Sequence, residues 1–172
     1  MMKEISLFDD ELSVVIPGAR CQGKTAHEAS REEGDAGLRR LDKFMCNRQK
    51  CMVKALMDGE EGQFFFDKMA ELALMVEAMP VTYQQEGLGE EAVAHLHYFL
   101  GDCHWYITEK DKDGEVDQAF GFAILHGDLI CAEYGYIPIS ELVDTGVGAE
   151  LDFHFKPTPM SQIKQMLEQR YG

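Results

Sequence analysis

The stretch from His104 to Leu142, HWYITEKDKDGEVDQAFGFAILHGDLICAEYGYIPISEL, constrains the fold more than any other part of the chain. Its side chains alternate as a half-buried strand requires, with Trp105 and Ile107 on one side and His104, Tyr106 and Thr108 on the other. Lys110-Asp111-Lys112-Asp113-Gly114 is a turn signal containing Asp-Gly, and Ala119 to Leu125 reads as the returning strand. Gly127-Asp128 turns the chain again into a strand from Leu129 to Ile137, which Pro138 ends. Ser140 is placed to cap a short helix carrying Glu141 in its first turn. Such closely spaced reversals join antiparallel strands.

The pattern extends on both sides. Ala92 to Leu100 alternates, with Leu96, Tyr98 and Leu100 on one face and His95, His97 and Phe99 on the other, before a turn at Gly101-Asp102. Gly146 and Gly148 lead into a strand over 150–155. Apolar residues at helical spacing predict helices near 38–57 (Leu38, Leu41, Met45, Met52, Leu56), 64–79 (Met69, Leu72, Ala73, Val76) and 159–170, the last with Thr158 as N-cap and Pro159 at its first position. The expected class is α+β: a mainly antiparallel sheet of about five strands over 92–155, packed with those helices. Residues 24–37, polar and interrupted by Gly34 and Gly37, read as a loop, so 1–37 is expected to be a polar N-terminal extension of a single domain over 38–172. Residues 82–91 read as a turn-rich acidic linker.

Charge is distributed unevenly. Residues 1–58 hold ten acids and ten bases, whereas 59–172 hold the other 21 acids and six bases, the whole net charge of −15. Phosphate contacts need Lys and Arg, so direct nucleic-acid binding by the acidic part is disfavoured and a basic surface is the fitting partner. The basic stretch 38–57 offers the converse, a solvated helix face or a contact with the acidic part of another copy in a homodimer. No apolar run is long enough to span a bilayer, the start of the chain lacks the layout of a secretion signal, and the five cysteines follow no disulfide framework, which together predict a cytoplasmic setting.

Several residues raise enzymatic possibilities. Gly18-Ala19-Arg20-Cys21-Gln22-Gly23-Lys24-Thr25 fits the phosphate-loop pattern, in which backbone N–H groups and Lys24 would cradle phosphates, beginning at Gly18 and turning at Gly23, and Thr25 would hold Mg²⁺. A following amphipathic helix and a second strand ending in Asp are missing, which favours a chance match and no cofactor. Cys46 and Cys51, with Cys21 and His27, lack the Cys-x₂-Cys spacing of a zinc site. His95 and His97 share a strand face, with His104 and His154 as further candidates, but no ligand set has diagnostic spacing and none is assigned to a metal. Glu109 and Glu133 sit at strand positions without a nucleophile or base spaced to work with them, so no catalytic residue is assigned.

Trp105-Tyr106-x-Thr108-Glu109, Phe120-Gly121, Glu133-x-Gly135-Tyr136, Ser140-Glu141-Leu142 and Glu150-Leu151-Asp152-x-His154-Phe155, in that order, resemble a prokaryotic domain family of unknown function frequent on plasmids, phages and integrative elements. The resemblance covers about 92–160 and implies an accessory protein of a mobile element, with no catalytic residues to carry over. Independently of it, Trp105, Phe120 and Tyr136 are expected to build an aromatic core, and Gly121 and Gly135 to mark bulges or close backbone approach. The functional expectation is a non-enzymatic acidic binding protein that occupies a basic surface of a host or phage protein. It would be an inhibitor of anti-CRISPR or anti-restriction type, with DNA mimicry, and its partner-facing acids would be Glu109, Asp111, Asp113, Glu115, Asp117, Asp128 and Glu133. A nucleotide or metal hydrolase and an assembly module are the alternatives.

Overall fold

A computed structural model describes residues 25–114, 116–144, 146 and 148–172. Thr25 opens helix α1 (Ala26–Arg40). Its hydroxyl accepts the Glu28 N–H at 3.2 Å while the Glu28 carboxylate accepts the Thr25 N–H at 2.8 Å, the reciprocal capping that starts a helix. The loop expected over 24–37 is therefore helical from residue 26. Gly34 and Gly37, which argued for a loop, face helix α3 (Gly62–Ala78). A Cβ at Gly34 would lie 2.5 Å from the Phe66 Cα, and one at Gly37 2.5 Å from the Met69 carbonyl oxygen. Each glycine costs about 1 kcal/mol of helix propensity against alanine, and in exchange the two backbones meet. Ser30 and Gln63 both donate to Asp67 Oδ1, at 2.7 and 2.8 Å, along the same seam.

The single helix expected over 38–57 is two. A 3₁₀ turn covers Asp42–Phe44, and α2 runs from Asn47 to Met57. At the break Leu41, Phe44, Met45 and Cys46 are all buried, more near-consecutive side chains than the single stripe of an amphipathic helix turns inward. The Phe44 carbonyl, released from helical bonding, accepts the hydroxyl of the fully buried Tyr98 at 2.9 Å. The break also resets the phase of α2, which buries Gln49, Val53 and Met57 and leaves Met52 about half exposed, at 48%. Helix α3 buries the expected face: Met69, Leu72, Ala73 and Val76, with Phe66. Lys110 closes its C-terminus, Nζ donating to the Val76 and Glu77 carbonyls at 2.7 and 2.6 Å.

Strands β2 (Leu96–Leu100), β3 (Cys103–Glu109), β4 (Ala119–Ile124), β5 (Glu133–Ile137) and β6 (Glu150–Leu151) form an antiparallel sheet in the order β5-β4-β3-β2-β6. A second ladder pairs β1 (Val93–Ala94) with β7 (Thr158–Pro159). The α+β class and the antiparallel sheet are as expected. Three strands are shorter than alternation implied. The one expected over 92–100 splits at His95 into β1 and β2, and in the other two aspartates fold their own backbone into turns: Asp128 accepts the Ile130 N–H at 2.9 Å, and Asp152 the His154 N–H at 2.9 Å. Helix α4 (Ile139–Asp144) follows β5; its Ser140 lies within the helix, not at the cap. Helix α5 (Met160–Tyr171) ends the chain, with Pro159 as N-cap and Thr158 in β7.

The sheet is covered on both faces. Leu96, Tyr98, Ile107, Ala119, Ile137 and Leu151 join the core with the helices α1 to α4, and Tyr106, Phe122 and Ile124 pack on Met160, Ile163 and Leu167 of α5. Trp105 packs on the first core, while Phe120 lies across the ladder from Tyr136 on the opposite face; the three do not form one aromatic core. At the β6 edge the buried Gln49 side chain imitates a strand, donating to the Leu151 carbonyl at 2.7 Å and accepting the Leu151 N–H at 3.1 Å. Gly34→Ala and Gly37→Ala are expected to lower the urea unfolding midpoint, each costing roughly 1–3 kcal/mol by overpacking despite the better helix propensity of alanine. A raised midpoint would refute the close α1–α3 approach.

Candidate functional site

The site is built by an irregularity in β3. Ile107 lies opposite Gly121 and Glu109 opposite Phe120, so Thr108 is an extra residue, a β-bulge. Regular alternation would place Glu109 with Trp105 and Ile107, toward α1 to α4. The bulge turns it to the other face, since opposed residues share a face. Gly121 permits this: a Cβ there would lie 2.2 Å from the Tyr106 carbonyl oxygen. The bulge or close approach expected at both glycines is found at Gly121; at Gly135 the space is open.

Along the same face, beside the part covered by α5, Phe120 opposes Tyr136 and Phe122 opposes Tyr134. The Phe120 ring stands edge-on to Tyr136 at 5.6 Å and is stacked with Tyr134 at 6.3 Å. These rings, with Tyr83, Glu86 and Glu109, line a cavity of about 300 Å³. That volume is at the small end of ligand pockets, roughly 300–1,000 Å³.

The opposite wall comes from the stretch expected to be a linker, and it is fastened to the sheet. The Thr82 N–H donates to the Lys110 carbonyl and the Lys110 N–H to that of Pro80, each at 2.9 Å. Glu109, only 4% exposed, accepts the Tyr83 N–H at 3.0 Å on one oxygen and the Gln85 N–H on the other. Bonds of this charge-assisted kind contribute about 1.5–3 kcal/mol each. The Gln85 amide donates to the carbonyls of Val93 and Thr108, at 2.9 and 2.8 Å, and accepts the Val93 N–H at 2.7 Å. Tyr83 is held in the left-handed region, φ 77°, which costs a non-glycine residue about 1–2 kcal/mol. Its hydroxyl meets that of Tyr136 at 2.7 Å, an arch between two residues that both line the pocket. Tyr83, Gln85 and Glu86 escaped the sequence reading; the one available signal was an aromatic residue set among turn formers.

The acids expected to face a partner have different fates. Glu109 and Asp111 are buried, and Asp111 accepts the backbone N–H groups of Asp113 and Gln118 at 3.2 and 3.1 Å, so neither belongs to an exposed acidic surface. Asp113, Asp117, Asp128 and Glu133 are exposed, with Asp117 accepting the Ser140 hydroxyl. Glu115 lies outside the described residues. Glu109 and Glu133 do not pair, because Glu133 opposes Ala123 at the other end of β4. Gly18, Gly23 and Lys24 of the phosphate-loop pattern also lie outside the described residues; Thr25, its proposed Mg²⁺ ligand, is the cap of α1.

The histidines assemble differently from expectation. His95 lies outside β2 and its N–H donates to the Ile107 carbonyl at 2.8 Å. His97 Nδ1 is 3.0 Å from Asp152 Oδ2, His97 Nε2 is 3.0 Å from His104 Nδ1, and His104 Nε2 is 3.1 Å from the Tyr171 hydroxyl. An ionised Asp152 only accepts, so with neutral rings the donors run one way, from Tyr171 through His104 and His97 to Asp152. No group of three His, Cys, Asp or Glu among the described residues is arranged to hold a metal ion.

Burial holds both imidazoles below the ordinary histidine value; at His104 the neighbouring His97 and Arg170 add to it. Asp152 opposes the shift at His97, as Asp102 does at His104, and Tyr171 and Tyr106 are the other titratable groups against them. The folded protein therefore binds fewer protons here than the unfolded chain. This stabilisation is complete above a pH of about 6.5 and is lost as pH falls below it. The fall in urea midpoint between pH of about 7.5 and 5 is expected to be smaller in the H97Q/H104Q double variant than in the wild type. Equal falls would remove these rings as its source. No protein-family model, curated protein or solved structure matches the chain.

Proposed function

We propose that this chain is a non-enzymatic, acidic binding protein of a mobile genetic element. It works in the cytoplasm by occupying the basic surface of a host or phage protein that acts in defence or on nucleic acid. Inhibition of anti-CRISPR or anti-restriction type, with surface acids standing in for the phosphates of DNA, is its concrete form. The carrying observation is how the few cations of the acidic part are used. Of the six bases in 59–172, Lys68 pairs with Glu71 at 2.5 Å, Lys110 caps α3, Lys164 meets Glu90 at 3.2 Å, and Arg170 meets Asp102 at 3.7 Å. Exposed Asp113, Asp117, Asp128 and Glu133 remain in a part of the chain whose acids outnumber its bases 21 to six. Such a field steers and holds a basic partner, more through association rate and specificity than through any one ion pair.

The basic helices do not offer an equal case for self-assembly. Arg31, Arg40, Lys50 and Arg48 are engaged with Asp58, Glu77, Asp42 and Glu150 of their own chain. A tagged protein incubated with bacterial lysate at low salt is expected to retain a basic, nucleic-acid-binding protein, released by raised salt and by added duplex DNA. The D113K/E133K variant should lose most of that retention while unfolding at the same urea concentration. An empty resin at low salt, or retention indifferent to salt and DNA, would sink the reading.

A further inference from the structure

We infer that the cavity between Tyr83, Phe120, Tyr134 and Tyr136 is a binding site for an alkylammonium group, the head of a lysine side chain presented by the basic partner; this rests on the proposal above that the partner is basic. Two features of the cavity point to a cation. Its walls are aromatic, and ring faces attract positive charge. Two acids line it: Glu86, which is exposed, and Glu109, which is buried. Glu109 is bonded to two neutral amides, and among the described residues no cation is paired with it. A cation in the cavity would give this buried acid the charged partner that its two amide bonds do not supply.

The molecule already uses this chemistry one step away. Lys164 Nζ sits 5.0 Å from the centre of the Tyr134 ring and 5.6 Å from that of Phe122, with Glu90 as counter-charge. Inside the cavity the corresponding elements are Tyr136 and Phe120 with Glu86 and Glu109. The Tyr136 phenol is held above its ordinary value first by its bond with Tyr83, then by burial and by the charge of the Tyr83 phenol, with the negative charges of Glu109 and Glu86 as the smallest contributions. An anionic guest would meet those same charges, and a neutral apolar guest would leave them unused.

The full chain, labelled with ¹⁵N, is titrated with tetramethylammonium chloride, with N-acetyl-lysine methylamide, and with 3,3-dimethylbutanol as an uncharged probe of similar bulk, at matched ionic strength. The expected result is saturable shifts of the Tyr83, Gln85 and Tyr136 amides with both ammonium probes and at least about fivefold weaker binding of the alcohol. Glu86→Gln and Tyr136→Leu alter exposed side chains and should each weaken ammonium binding severalfold while the other amides keep their positions. Glu109→Gln is the harsher variant, since it also loosens the Tyr83–Gln85 segment. Equal binding of the alcohol, shifts spread over all surface acids, or no saturable shift would overturn the inference. The outcomes separate from those of the proposed function. Loss of the ammonium site with retention of a salt-sensitive basic partner removes only this inference. A saturable ammonium site in a protein that retains no partner removes only the broader one.

Discussion

The arrangement of this protein depends on one carboxylate turned inward. Glu109 stands at the end of the central strand, and the bulge at Thr108 decides which face receives it. On that face its two oxygens collect the amides of Tyr83 and Gln85, and through them the crossing from α3 to the sheet acquires a fixed course. The left-handed backbone of Tyr83, the arch between the hydroxyls of Tyr83 and Tyr136, and the Gln85 clamp on Val93 and Thr108 are all secondary to that anchorage. Side-chain charge here acts as scaffolding for a loop, where helix or ladder hydrogen bonding does not reach.

Strand β3 illustrates why the sheet has two unlike faces. Ile107 and Trp105 serve the apolar core under α1 to α4, whereas His104 and Tyr106 belong to a layer in which polar groups are satisfied by each other. Among the described residues no buried side-chain nitrogen or oxygen lacks a partner. The Asp152–His97–His104–Tyr171 chain meets that requirement with titratable groups, so the packing of the last turn of α5 is tied to the protonation of the rings beneath it.

Strand alternation and the Asp113-Gly114 turn made most of the sheet from His104 to Ile137 legible in the sequence, because both are local signals; they failed at the Thr108 bulge and at 129–132, where the Asp128 turn delays β5 to Glu133. The helices were harder where a residue's meaning is decided by its neighbour in space. Gly34 and Gly37 argue for a loop in one dimension and for a helix contact in three. Met45 continues a helical pattern in sequence, and together with Phe44 and Cys46 it breaks that pattern in the core. The candidate pocket was the least legible part. Its aromatic half follows from the β4–β5 ladder, but a bulge shifts parity without any fixed sequence mark, and the wall at Tyr83–Glu86 is defined by bonds to a strand more than twenty residues away. The acidic surface was overestimated for the same reason: Glu109 and Asp111 look like solvated charges until their backbone partners are known.

The two margins of the sheet are unlike, which gives the molecule a direction. At β6 the side chain of Gln49 already takes the place that another strand would occupy. At β5 the ladder simply stops among the described residues, next to the tyrosines of the pocket, with Glu133 outward and Gly135 offering no bulk. A free strand edge is a hazard for unwanted stacking, and a charged residue on it is a common safeguard. Among the described residues, growth of the sheet is thus open at β5 alone, and unwanted pairing along Glu133 to Ile137 would engage the same tyrosines that line the pocket.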